Sequence, residues 1–249
     1  MRVALIQMAI VPGRRSANLV SALGWIDKAC DMDPAPDLVV LPECCDIGWL
    51  APGATELAEP VGGPFAESLA AKAREMGVHV LAGLTERAGE ALYSAGVLFD
   101  VDGDVLLRQR KINVQASDGV YAPGNRLRAR QTAWGRVGVE VSTDLLERCI
   151  TDALAAMGAR IILSPCAWAC RPGDESNGLQ AVQGHLAERT VAAPVHLVSV
   201  NGVGEIDEGA WQGMALFGGS MAYGPGGEAL LVGPTNEEAL LTVDIETSS

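Results

Sequence analysis

Histidine is scarce in this sequence: three residues in 249, at positions 79, 185 and 196. They form no ligand-spaced cluster with one another or with the six cysteines, which argues against a structural metal. The scarcity weakens a Ser-His-Asp reading without removing it, since one histidine is enough. The cysteines, at 30, 44, 45, 149, 166 and 170, are too few for a disulfide scaffold. Several lie in apolar segments, so reduced thiols in a cytoplasmic protein are the expectation. Basic residues are also short, 18 Lys and Arg against 31 Asp and Glu, a net charge of −13. Such a surface repels phosphate backbones, and no Lys/Arg run offsets it, so nucleic acid and anionic membrane are not the expected partners. No apolar run reaches membrane-spanning length. The segment Met1-Arg2-Val3-Ala4-Leu5-Ile6 turns polar too soon for a signal peptide and reads as a first strand. Linkers, repeats and low-complexity tracts are missing too, so one domain over residues 1–249 is the simpler organisation.

What is present is apolar: 49% of the residues, against 20% charged, which suffices for a large core. Strand-like runs alternate with helix-like ones. Arg2 to Met8, Leu38 to Leu41, Val78 to Gly83, Arg136 to Val141, Ile161 to Ser164 and Val195 to Asn201 read as strands. Ala17 to Cys30, Pro64 to Met76, Asp144 to Met157 and Asn177 to Ala192 read as helices, with Gly77 and Gly158 as stops. Two hairpins join them, Leu92 to Phe99 with Val105 to Arg110 around Asp102-Gly103, and Ser220 to Tyr223 with Ala229 to Val232. Leu240 to Ile245 closes the chain. Alternation plus hairpins gives an α/β fold with some antiparallel pairing.

Four places put reactive side chains at strand ends. Glu43 follows Leu38-Val39-Val40-Leu41-Pro42, where open α/β sheets bind ligands, and a partly desolvated carboxylate there can act as a base. Taken alone, such a glutamate is more often a solvated loop residue. Lys111 follows a hairpin strand and could hold an oxyanion, although an edge lysine that blocks aggregation is the commoner case. Ser142 stands where Val137-Gly138-Val139-Glu140-Val141 runs into a helix whose first N–H groups would face an anion, with Thr143 or Asp144 as its cap. Trp168 ends the strand Ile161-Ile162-Leu163-Ser164, where core packing is the plain alternative.

In this order and spacing, these segments resemble the nitrilase, or carbon–nitrogen hydrolase, superfamily over nearly the whole chain. Val3 to Gln7 resembles its first strand, and Leu41-Pro42-Glu43 its Pro-Glu motif, with Trp49 where an aromatic residue follows. Gly103-Asp104-Val105 to Arg110-Lys111 resembles its lysine segment, and Tyr121-Ala122-Pro123-Gly124 its aromatic-x-Pro-Gly. Asn201-Gly202-Val203-Gly204, Phe217 to Met221 and Gly224-Pro225-Gly226-Gly227 resemble its C-terminal signature. The resemblance implies a four-layer α-β-β-α sandwich, association into a homodimer or larger homo-oligomer, and no cofactor or metal. It implies a Glu–Lys–Cys triad that attacks a small amide, carbamoyl or nitrile carbon through a thioester. Glu43 and Lys111 match the base and the oxyanion donor, and Trp49, Asp118, Thr143 and Trp168 are the candidate substrate-binding residues.

The pattern breaks at the nucleophile, where Ser142 stands in place of the family's cysteine. A thiol is partly ionised near neutral pH, whereas a serine hydroxyl titrates far higher and needs a stronger base than a glutamate. The chain as written is therefore expected to be inactive or nearly so. Three readings follow: a Cys→Ser change introduced into an amidase, a natural pseudoenzyme that binds a small ligand or a protein partner, or a working serine variant. Cys166, on another strand, is the remaining thiol considered for a displaced nucleophile. Two further departures concern substrate: Lys111-Ile112-Asn113-Val114 replaces Lys-x-His-Leu, and Asp118 stands where many members carry a second glutamate.

Overall fold

The computed structural model describes residues 1–206 and 211–247. The N-terminal half holds β1 (Arg2–Gln7), α1 (Arg15–Cys30), β2 (Leu38–Val40), α2 (Ala54–Leu57), α3 (Pro64–Met76), β3 (His79–Ala88), β4 (Ala91–Phe99) and β5 (Val105–Arg110). The C-terminal half holds β6 (Ala129–Thr132), β7 (Gly135–Val139), α4 (Arg148–Ala156), β8 (Ile161–Cys166), β9 (Ala169–Cys170), α5 (Glu175–Ala192) and β10 (His196–Asn201). After these come β11 (Val203–Glu205), β12 (Ala215–Phe217), β13 (Met221–Tyr223), β14 (Ala229–Val232) and β15 (Ala239–Asp244). Two six-stranded sheets result, ordered β15-β1-β2-β3-β4-β5 and β14-β13-β10-β8-β7-β6, with a small third sheet β11-β12-β9.

The layers follow from which faces are apolar. Strands β1, β2, β8 and β10 are parallel to their crossover neighbours and buried on both faces, hence their apolar runs. One set of side chains, Val3, Leu5, Val40, Val139, Leu163 and Val200 among them, packs sheet against sheet. The opposite set of the first sheet, with Ala4, Ile6 and Val39, packs under α1 and α3 through Ile26, Phe65 and Leu69. Ile162 and Leu197 of the second sheet pack under α4 and α5 through Leu154, Val182 and Leu186. The order helix, sheet, sheet, helix is the expected four-layer sandwich. α3 begins with proline in its first turn and stops at Gly77, which takes a left-handed φ of 63°.

The structure differs from the sequence reading at several elements. β3 is longer than expected and forms a hairpin with β4 across Gly89. The helix expected over Asp144 to Met157 is interrupted: a single 3-10 turn spans Ser142–Leu146, and α4 begins only at Arg148. The short elements α2, β6, β9, β11 and β12 carry too few residues for a periodic signal.

Candidate active site

The four strand ends singled out above lie close together. The segment after β2 is clamped between the two sheets: the Glu43 N–H donates to Cys166 O at the end of β8, 3.1 Å, and Gly83 N–H of β3 donates to Pro42 O, 3.1 Å. Position 83 has to be glycine for this approach, since a Cβ there would lie 2.4 Å from Glu43 Cα. Glu43 is thereby fully buried rather than solvated. Its Oε1 accepts from Ser94 Oγ of β4 at 2.7 Å and from Lys111 Nζ at 3.5 Å. Its Oε2 is buried without a hydrogen-bond partner among the described residues, an unusual state for a carboxylate.

Lys111 leaves β5 and turns inward. Its N–H donates to Ser94 O and its carbonyl accepts from Gly124 N–H at 2.7 Å, so the Tyr121-Ala122-Pro123-Gly124 segment fastens it. The ammonium is 1% exposed and lies between Glu43 and Asp118, 2.8 Å from Asp118 Oδ1. Burial alone would lower its pKa; the charges of Glu43 and Asp118 outweigh burial and hold it above the ordinary lysine value. It is a fixed cation and not the solvated edge lysine of the plain alternative. Asp118 accepts on both oxygens: Oδ1 also accepts from Trp49 Nε1 at 3.1 Å, and Oδ2 from Gln115 N–H at 2.5 Å.

Ser142 sits on a tight elbow after β7, with a left-handed φ of 50° that serine adopts only under constraint. Asp144 supplies the constraint. Its Oδ2 accepts from Val141 N–H at 2.9 Å, and its Oδ1 accepts from Ile112 and Asn113 N–H at 2.9 and 2.7 Å. One carboxylate thus ties the elbow to the lysine segment. The Thr143 hydroxyl donates to Asn113 O at 2.6 Å, and Arg189 of α5 donates to Leu145 and Leu146 carbonyls. Asp144 is the capping residue the sequence suggested, of a 3-10 turn and not of an α-helix. Asp144→Ala would orphan one buried and two part-buried N–H groups, at about 1–3 kcal/mol for the buried one and less for the others, so a loss of about 3 kcal/mol in urea unfolding is expected.

Below the elbow, burial pushes Glu140 up to about 8 and Asp144 up to about 6. Glu140 Oε2 accepts only from Thr151 Oγ, at 3.0 Å. The folded state therefore keeps the Glu140 proton where the unfolded chain has lost it. Stability from this group is full below about pH 4.5 and is lost as pH rises toward about 8. At about 1.4 kcal/mol per pKa unit the loss is on the order of 5 kcal/mol. Urea midpoints at pH 5.5 and 8.5 are expected to lie closer together in Glu140→Gln than in the parent.

A cavity of about 240 Å³ opens over this centre. Lys111, Asp118, Ser142, Thr143, Trp49 and Trp168 all line it. Glu43 lies behind Lys111, outside the lining. Gln115, Ser117, Leu146 and Trp211 complete the wall, and the sequence reading missed them. Trp211 packs edge-on against Trp49 with ring centroids 5.3 Å apart; no motif surrounds it in the sequence. Ser94 was missed as well, although a lone serine in the run Leu92 to Phe99 hints at an inward polar role. The thiol considered as a displaced nucleophile is elsewhere: Cys166 is fully buried among Ser164 and Ser199, does not line the cavity, and burial pushes it up to about 12. Among the described residues no helix is long and apolar enough to cross a membrane.

Among known proteins, the chain is similar to several amidases. An (R)-stereoselective amidase of a Pseudomonas species is 29% identical over 238 residues, covering 92% of this chain and 80% of that protein. Omega-amidase NIT2 of Bos taurus is 26% identical over 257 residues, covering 98% and 88%. The solved NitN amidase of Neterenkonia sp. AN1 superposes with a TM-score of 0.85 at 25% identity, over 99% of this chain and 93% of that one. A cysteine-to-alanine variant of the Nesterenkonia sp. AN1 amidase, solved with butyramide, superposes with a TM-score of 0.83 at 25% identity, over 98% and 90%. The sequence profile of the Carbon-nitrogen hydrolase family matches residues 2–249, and the chain belongs to that family.

Proposed function

We propose that this chain carries an amidase site for small carboxamides in which Glu43 is the base, Lys111 the oxyanion donor and Ser142 the residue at the nucleophile position. The observation that carries the reading is the buried Glu43–Lys111–Asp118 array beneath a cavity that Ser142 also lines. A lysine held between two carboxylates contributes little to stability for its desolvation cost, but it is a preorganised donor for charge that develops on a carbonyl oxygen. The unpartnered Oε2 of Glu43 leaves the base an open lone pair.

With serine at 142 the site binds amides and hydrolyses them slowly or not at all. Glu43 can deprotonate a thiol, because the two acidities are within reach of each other; it is too weak a base for an aliphatic hydroxyl. With cysteine in that place the thiolate attacks the carboxamide carbon, Lys111 holds the oxyanion, ammonia leaves with the proton Glu43 took, and water releases the acid. Homodimer or larger association belongs to the same proposal. The test is ammonia release from butyramide by the parent and by Ser142→Cys. Turnover confined to the cysteine form supports the reading, and none in either form, with folding verified, supports a pseudoenzyme.

A further inference from the structure

We infer that Ser94 is a positioning residue for the base: its hydroxyl holds the Glu43 carboxylate off Lys111, so that one carboxylate oxygen stays open for proton transfer and the ammonium stays free to meet an oxyanion. The inference rests on the Glu43–Lys111–Ser142 reading above and adds the residue that keeps the first two apart. A carboxylate and an ammonium buried side by side close to hydrogen-bond distance unless something holds them apart. Lys111 forms such a close pair with Asp118, at 2.8 Å, yet stands 3.5 Å from Glu43, although both side chains are buried. The difference lies in what Glu43 Oε1 accepts instead, the Ser94 Oγ–H at 2.7 Å.

The strand places Ser94 for this. It lies in β4 opposite Thr85 of β3 and is fully buried. Its carbonyl accepts from the Lys111 N–H at 2.8 Å, so one residue fixes the backbone of the lysine and the side chain of the base. The hydroxyl is oriented from behind. Cys44 Sγ donates weakly to Ser94 Oγ at 3.8 Å and lies 3.6 Å from Tyr121 OH, which in turn lies 3.4 Å from Thr85 Oγ1. With that side of the oxygen taken, the hydroxyl proton is directed at Glu43. The terminal torsion of a glutamate is broad, so without this bond the carboxylate would turn and close on Lys111. That closure would occupy the lone pair that Oε2 now leaves open and an N–H that the oxyanion needs.

Ser94→Ala and Ser94→Thr, each in the Ser142→Cys background, test this with two readouts. One is kcat and KM for butyramide by ammonia release. The other is the rate at which iodoacetamide alkylates the thiol introduced at position 142, followed by peptide mass spectrometry with the exposed Cys149 as internal reference. Ser94→Ala is expected to lower kcat by roughly tenfold or more with KM within about twofold, and to slow alkylation at position 142 by a similar factor. Ser94→Thr keeps the hydroxyl and is expected to restore most of both rates. Ser94→Cys, which keeps the volume with a weak donor, is read in place of Ser94→Ala should that chain not fold, and the same loss is expected. A folded Ser94→Ala form with kcat and alkylation unchanged would overturn the inference, as would a loss carried by KM alone or one that Ser94→Thr shares in full. No turnover by Ser142→Cys itself would overturn the amidase reading, and the alkylation rates then decide the role of Ser94.

Discussion

Ser142→Cys is expected to raise ammonia release from butyramide by about 10³-fold or more over the parent protein. Loss of a catalytic nucleophile costs factors of this size and larger in enzymes whose remaining site is intact, so regaining one returns them. The substitution exchanges oxygen for a larger, softer atom on a residue that is 3% exposed. The elbow that holds it is fixed by Asp144 and Arg189, not by the hydroxyl, so the left-handed backbone survives the exchange. The gain comes from acidity. A thiol ionises readily enough for a carboxylate base, and Lys111 favours the thiolate; an alcohol titrates far higher. A coupled ammonia assay on purified parent, Ser142→Cys and Ser142→Ala measures this. Ammonia from the parent that vanishes in Ser142→Ala would make the chain a working serine hydrolase.

In the Ser142→Cys background, Lys111→Ala is expected to lower kcat/KM by roughly 10²–10³-fold, the usual effect of removing one preorganised oxyanion donor. Two consequences add up. The developing oxyanion loses its cation, and Glu43 and Asp118 are left facing each other without the charge that separates them. The second consequence leaves two buried carboxylates without a counter-charge, which disturbs the position of the base. Lys111→Arg is the informative companion: it keeps charge but not shape, so the pH profile is expected to stay near that of the Ser142→Cys form while kcat falls. Near-full activity of Lys111→Ala, with circular dichroism unchanged, would remove Lys111 from the chemistry.

How much of this was legible in the sequence depends on range. The long buried strands showed themselves because both of their faces are covered, and the hairpins because Asp102-Gly103 and Gly224 to Gly227 mark their turns. Glu43, Lys111 and Ser142 could be found by their order at strand ends, and that order carried the family resemblance. Read singly, Glu43 and Lys111 looked like solvated residues; only the clamp between β3 and β8 and the enclosure by Asp118 bury them. The serine elbow looked like a helix start because Ser142-Thr143-Asp144 is good capping chemistry; the bond from Val141 N–H to Asp144 closes a tighter turn instead, and those from Ile112 and Asn113 tie it to the lysine segment. The cavity wall was the least legible part. Trp211 and Leu146 come from a loop and a turn, and nothing local in their sequence records that they face Trp49 and Trp168 across a gap.

The central claim is that residue 142 is the point of acyl transfer in a site that Glu43 and Lys111 have otherwise completed. Hydroxylamine partitioning tests it most directly, because an acyl-enzyme passes its acyl group to hydroxylamine in competition with water. With butyramide and hydroxylamine, Ser142→Cys is predicted to form butyrohydroxamic acid together with ammonia, while the parent and Ser142→Ala form neither. Ammonia without hydroxamate from Ser142→Cys, or hydroxamate from the parent protein, would contradict the account.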